Sequence, residues 1–127
     1  MIVYKVLYKN EDGQLLSVIE AYDCPGGLRY LPNQRTYPSV GRIFAFRTLS
    51  AAQDWRRGDP VWEIWKAEGE NPRARRAMVS LGAHKRSKLK REFRRFWKAG
   101  GRKSRYTRPT LSDTVTCSSI QLLELVE

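Results

Sequence analysis

The chain has one histidine, His84, and two cysteines, Cys24 and Cys117, among its 127 residues. That scarcity argues against a zinc centre. No Cys-x-x-Cys pair occurs, and one imidazole cannot complete a tetrahedral Cys/His set. Two thiols so far apart read as free in a reducing setting, with a pairing open only if the fold brings them together. Long apolar runs are also missing, so no membrane span is expected, and the opening MIVYKVLYKN carries Lys5 and Lys9, unlike a secretory signal. The expected location is the cytoplasm. No Gly-rich phosphate loop, Gly-x-Ser-x-Gly or His-Glu-x-x-His pattern appears. Glu63 and Glu68 fall on different faces of one strand and make no acid pair. His84 lies in a cationic run that disfavours its protonation, and reads as a bystander. Neither catalysis nor a metal or other cofactor is expected.

Acids are the other deficit. Thirteen Asp and Glu face 24 Lys and Arg, a formal net charge of +11. The imbalance is local. Residues 71–109 hold fifteen Lys/Arg and one acid, Glu92, a net of +14, whereas the rest of the chain nets −3. A mildly acidic body therefore carries one strongly basic segment, which calls for a polyanionic partner.

What is present supports a folded body. Apolar residues make up 41% of the chain, with four Trp, six Tyr and four Phe, enough for one hydrophobic core. IVYKVLY alternates as a strand, with Ile2, Tyr4, Val6 and Tyr8 on one face, and Asp12-Gly13 turns it into a hairpin with QLLSVIEA. CPGG breaks the chain, and LRYLPNQRTYPSV reads as irregular or as short edge strands. GRIFAFR is a strand with Phe44 and Phe46 opposite Ile43 and Ala45. TLSAAQDWRRG is a short helix, with Ser50 as cap, Gln53 completing a capping box and Gly58 at its end. PVWEIWKAE is a strand with aromatics on both sides, and DTVTCSSIQLLELV is one broken strand or two short ones. The reading is α+β: a single small domain with a five- or six-stranded, mainly antiparallel sheet, one short helix and a long basic helical insertion before the last strand. Residues 1–70 plus 110–127 form the body, and 71–109 the insertion.

Within the insertion, HKRSKLKREFRRFWK holds eight Lys or Arg in fifteen residues. Leu89, Phe93, Phe96 and Trp97 fall at i, i+4, i+7 and i+8, one apolar stripe of a helix. That stripe reads as the anchor on the sheet. The candidate binding residues are the cations around it: Arg73, Arg75, Arg76, Lys85, Arg86, Lys88, Lys90, Arg91, Arg94, Arg95, Lys98, Arg102, Lys103, Arg105 and Arg108. Ten of these fifteen are Arg, whose fork matches phosphate oxygens in pairs. The expected partner is nucleic acid, RNA before DNA, or a nucleoprotein complex, bound by shape and charge. An acidic host protein surface is the second reading. Arg29, Arg35 and Arg42 flank a Tyr-rich turn and could hold phosphate, though surface arginine is the simpler reading.

YKVL, YLPNQRTYP, GRIFAFRTLSAAQDW, VWEIWKAE and TVTCSSIQLLELV together resemble small uncharacterised proteins of phages and prophages. The resemblance covers residues 2–68 and 110–126 and leaves out the basic segment. It implies a phage or mobile-element origin, hence the host cytoplasm, and no assigned activity. The two uses that fit a basic nucleic-acid binder of that origin are packaging or processing of phage RNA or DNA and blocking a nucleic-acid-guided host defence. The order of GRIFAF, helix and late strand is also similar to the ADP-ribosyltransferase-like fold. That resemblance implies a nucleotide cleft with its first-strand residue near Lys5 and its glutamate near Thr116 or Cys117. Neither position carries the residue the transfer needs, so the implied use of such a scaffold is binding, with Lys5 against phosphate.

Overall fold

Side chains alternate along IVYKVLYK, sending Tyr4, Val6 and Tyr8 to one side and Val3, Lys5 and Leu7 to the other. In the computed structural model this strand is central. The structure describes residues 1–17, 28–38, 41–56, 61–74, 77–79, 91, 94–98, 107–110 and 113–127. The elements, in order, are β1 (Ile2–Lys9), β2 (Leu15–Ser17), β3 (Arg29–Tyr30), β4 (Arg35–Thr36), β5 (Ile43–Phe46), α1 (Leu49–Arg56), β6 (Trp62–Glu70), β7 (Arg73–Ala74), β8 (Ala77–Val79), β9 (Thr107–Pro109), β10 (Thr114–Cys117) and β11 (Ser119–Leu125). Between β8 and β9, Arg91 and residues 94–98 are helical; the latter are α2. Nine strands form one antiparallel sheet, and β8 pairs with β9 in a second.

One edge of β1 pairs with β6 from Ile2↔Glu68 to Tyr8↔Trp62. Its other edge is shared, with β2 at Leu7–Lys9 and β5 at Tyr4. Strands β6 and β7 run against β11 and β10 in one register, through Leu122↔Ala67, Ser119↔Glu70 and Val115↔Ala74. The ladder bends where Asn71 takes a left-handed φ of 49° and Ser118 interrupts the opposite strand. Beyond the bend, β10 turns to pair with β5, which returns to β1. The sheet thus curls back on itself. Its enclosed face holds the main core: Val3, Leu7, Ile43, Ala45, Ala67, Val115, Cys117, Ile120 and Leu122, with Leu15 and Tyr30 added by the hairpin. At Gly69 that interior is so tight that a Cβ would stand 2.6 Å from Cys117 Sγ.

Lys5 points into the same interior and is only 3% exposed. Its ammonium donates a hydrogen bond to the Phe44 carbonyl at 2.7 Å and lies 5.9 Å from the Tyr30 ring centroid. β1 and β5 share a single paired position, so the lysine reaches a β5 carbonyl that lies beyond it. The phosphate contact implied for Lys5 is therefore corrected: this ammonium is inside the body, bonded to backbone.

On the outer face, α1 covers Val6, Phe46 and Ile64, and Trp55 stacks on Trp62 at 5.3 Å. Its cap is Thr48, not Ser50. Thr48 Oγ1 accepts the Ala51 N–H at 3.1 Å, and its carbonyl accepts the Ala52 N–H, the first bond of the helix. Ser50 sits inside the first turn, and Gln53 donates to the Glu127 carboxylate rather than closing a capping box. Gly58 lies outside the described residues. Thr48→Ala is expected to lower stability by about 1 kcal/mol in urea unfolding, and Ser50→Ala by a few tenths at most.

The α+β class and the mainly antiparallel sheet hold. Two expectations are corrected. The strands number eleven among the described residues, because β2, β3, β4 and β7 are two- or three-residue pairings too short for periodicity to reveal. The segment 71–109 is also not helical throughout. It begins as β7, continuing the β6 ladder past its bend, and contains the β8–β9 ribbon.

Candidate nucleic-acid interface

Residues Ile43 and Ala45 fill the interior, so Phe44 and Phe46 face outward on β5. Phe46 is covered by α1 and Phe44 by α2. Phe96 is 5% exposed, with its ring centroid 6.4 Å from that of Phe44. Trp97 lies 5.7 Å from Phe44 and meets Phe96 edge-on at 4.9 Å. The Trp97 ring also lies directly on Gly41, whose φ is +65°. Any side chain at position 41 would overlap the indole and strain the backbone. These contacts hold α2 against the sheet and leave Arg91, Arg94, Arg95 and Lys98 exposed. Among the described residues, Arg91, Arg94 and Lys98 make no ion pair.

The sheet beside α2 is basic as well. Phe44, Thr116 and Arg73 are direct cross-strand partners over β5, β10 and β7, so they share a face. Arg73 is exposed at the edge strand. Arg42 crosses this row: its Nε donates to Thr116 Oγ1 at 3.0 Å, and one terminal nitrogen donates to the carbonyls of Thr116 and Asn71. The structure thus brings Arg73, Arg91, Arg94, Arg95 and Lys98 around one face. Arg108 lies on β9. Arg75, Arg76, Lys85, Arg86, Lys88, Leu89, Lys90, Phe93, Arg102, Lys103 and Arg105 lie outside the described residues, as do His84 and Cys24. By sequence, Arg42 groups with Arg29 and Arg35, as surface arginines or a phosphate site, and not with the basic segment. Its place in a basic row depends on the pairing of β5 with β10, 74 residues away at the Arg42–Thr116 contact, which no local pattern announces.

Arg29, Arg35 and Arg42 do not form a common site. Arg29 is exposed on β3. Arg35 forms an ion pair with Glu68 and donates to Ser119 Oγ at 2.8 Å, and Ser119 Oγ in turn donates to Glu70 at 2.9 Å. The Met1 amine lies 3.5 Å from the other Glu68 oxygen. The hydrogen bond from Arg35, aided by its charge, holds the Glu68 carboxyl below its ordinary range despite the opposing effect of burial. A lowered folded-state value means that the stabilisation is full above the unfolded value, about 4.3, and is lost as pH falls through the folded one. Glu68 is 39% exposed, so solvent screens the pair and its worth at neutral pH is below about 1 kcal/mol. Melting curves of wild type and Arg35→Gln are expected to differ modestly at neutral pH and to converge as pH falls through the lowered value of Glu68.

Cys117 is a free thiol with no exposed surface, and burial pushes its pKa up. A buried, protonated thiol is a packing group, not a nucleophile. Among the described residues, no group of three or more His, Cys, Asp or Glu could hold a metal ion, and no helix is long and apolar enough to cross a membrane. Compared with models of protein families, with curated proteins and with solved structures, the chain matches none.

Proposed function

We propose that this protein binds nucleic acid without transforming it, through the basic segment 73–108. The observation that carries this reading is the docking of α2. Phe96 and Trp97 are spent on Phe44 and Gly41, so the exposed Arg91, Arg94, Arg95 and Lys98 are held on a fixed platform. A solvated face that only needs to stay soluble mixes charges of both signs, whereas residues 71–109 hold one acid. Such a surface suits phosphate, contacted by forked guanidinium groups.

The reading is tested on freshly purified protein. Nucleic acid is expected to co-purify, seen as raised absorbance at the nucleic-acid maximum, and to leave on high-salt washing. The cleaned protein is then expected to bind generic RNA and duplex DNA in fluorescence anisotropy. Failure to bind either, together with capture of an acidic protein from nuclease-treated lysate, would replace this reading with the protein-surface one.

A further inference from the structure

Resting on the nucleic-acid reading above, the geometry points to duplex nucleic acid as the ligand, gripped through its phosphates by one composite surface made of α2 and the β5–β10–β7 face. The two parts are joined at Phe44. Its ring carries Phe96 and Trp97, and its cross-strand neighbours lead through Thr116 to Arg73 at the sheet edge. Arg42 sits within this junction, fixed by Thr116 Oγ1 and by the carbonyls of Thr116 and Asn71. Cations therefore stand on two elements at once. A single strand offers one line of phosphates, whereas a duplex offers one charge per roughly 1.7 Å of its axis from two strands. A surface split between a helix and a sheet edge meets more phosphates on the second.

The aromatic side chains on this face point the same way. Single-strand binders stack splayed bases on exposed rings. Here Phe44 and Phe96 are each 5% exposed, and the Trp97 ring lies on Gly41. Among the described residues of this face, the rings are spent on holding the helix. Of the two acids at the end of β6, one is offset by cations and the other keeps its charge. Glu68 is paired with Arg35 and the Met1 amine, and Glu70 accepts hydrogen bonds from Ser118 and Ser119.

The test is competition in fluorescence anisotropy between duplex RNA, duplex DNA and an unstructured single strand of equal length, at one salt concentration near 0.1 M. With about six phosphate contacts, the steeper counterion release of a duplex gives it roughly a tenfold advantage there. Duplexes of scrambled sequence are expected to compete equally. In the same assay Arg73→Gln is expected to lower the slope of log affinity against log salt by about one, and Arg29→Gln, on a different strand away from this row, to leave it unchanged. Equal or tighter binding of the single strand, a strong sequence preference, or an unchanged slope in Arg73→Gln overturns the duplex inference while leaving nucleic-acid binding standing. Absence of binding by every probe defeats the underlying reading instead.

Discussion

Phe96→Ala is expected to release α2 from the sheet. Phe96 is 5% exposed and touches both Phe44 and Trp97, and truncation of a buried aromatic costs about 3–5 kcal/mol. That loss should fall on one part of the molecule. The amides of residues 94–98 are expected to exchange about a hundredfold faster or more, a free-energy change of about 3 kcal/mol. Amides in the β1–β6 ladder, whose side chains pack in the enclosed core, are expected to keep most of their protection. Nucleic-acid affinity should fall as well, because the helix must then be ordered at the moment of binding. Gly41→Val reaches the same contact from the other side, since its side chain would collide with the Trp97 ring. Unchanged exchange at residues 94–98 in both variants would show that the aromatic contacts do not hold the helix.

A second large effect is expected at Lys5. Lys5→Ala removes a buried donor to the Phe44 carbonyl and opens a void next to Tyr30. A buried polar group left without its partner costs about 1–3 kcal/mol, and the lost packing adds to it, for a total of about 3 kcal/mol or more. Lys5→Met keeps most of the volume and removes the charge, so it is expected to cost less than Lys5→Ala. Urea unfolding measures both. Because Lys5 is inside the body, Lys5→Met is expected to leave nucleic-acid affinity within about twofold of wild type. Stability unchanged by Lys5→Ala would contradict the role given to this lysine.

Lys5 also shows where sequence reading stops. Alternation along β1 separates Tyr4, Val6 and Tyr8 from Val3 and Leu7, and the structure follows it. The same alternation puts Lys5 inward, but a lysine in a strand is ordinarily read as solvated, and its burial depends on partners brought by the fold, the Phe44 carbonyl and the Tyr30 ring among them. The break within DTVTCSSIQLLELV, which falls at Ser118, was legible because two small polar residues interrupt an apolar run. β7 was not. Arg73 and Ala74 have little strand propensity and form a strand because the β6–β11 ladder continues past Asn71 onto β10. Within the basic segment, the i, i+4, i+7, i+8 stripe indicated Phe96 and Trp97 as a helix anchor, and both pack on the sheet. Their receiving surface, Gly41 and Phe44, and the neighbouring Arg42 depend on pairing between segments some seventy residues apart. No window along the chain contains that information. Thr48 displaced Ser50 as the cap for a simpler reason: two hydroxyl residues two positions apart compete, and the start of the helix at Leu49 decides between them.

The central claim, that exposed cations around α2 hold a polyanion, is tested most directly by the salt dependence of binding. Affinity for duplex RNA or DNA is measured between about 50 and 200 mM salt for wild type and for the combined Arg91→Gln, Arg94→Gln, Arg95→Gln and Lys98→Gln variant. With six or more phosphate contacts, wild-type affinity is expected to fall about a thousandfold over that range. The variant, lacking up to four contacts, is expected to bind far more weakly and to lose three to four units of slope. Wild-type binding that ignores salt, or a variant whose affinity and slope match wild type, would contradict the account.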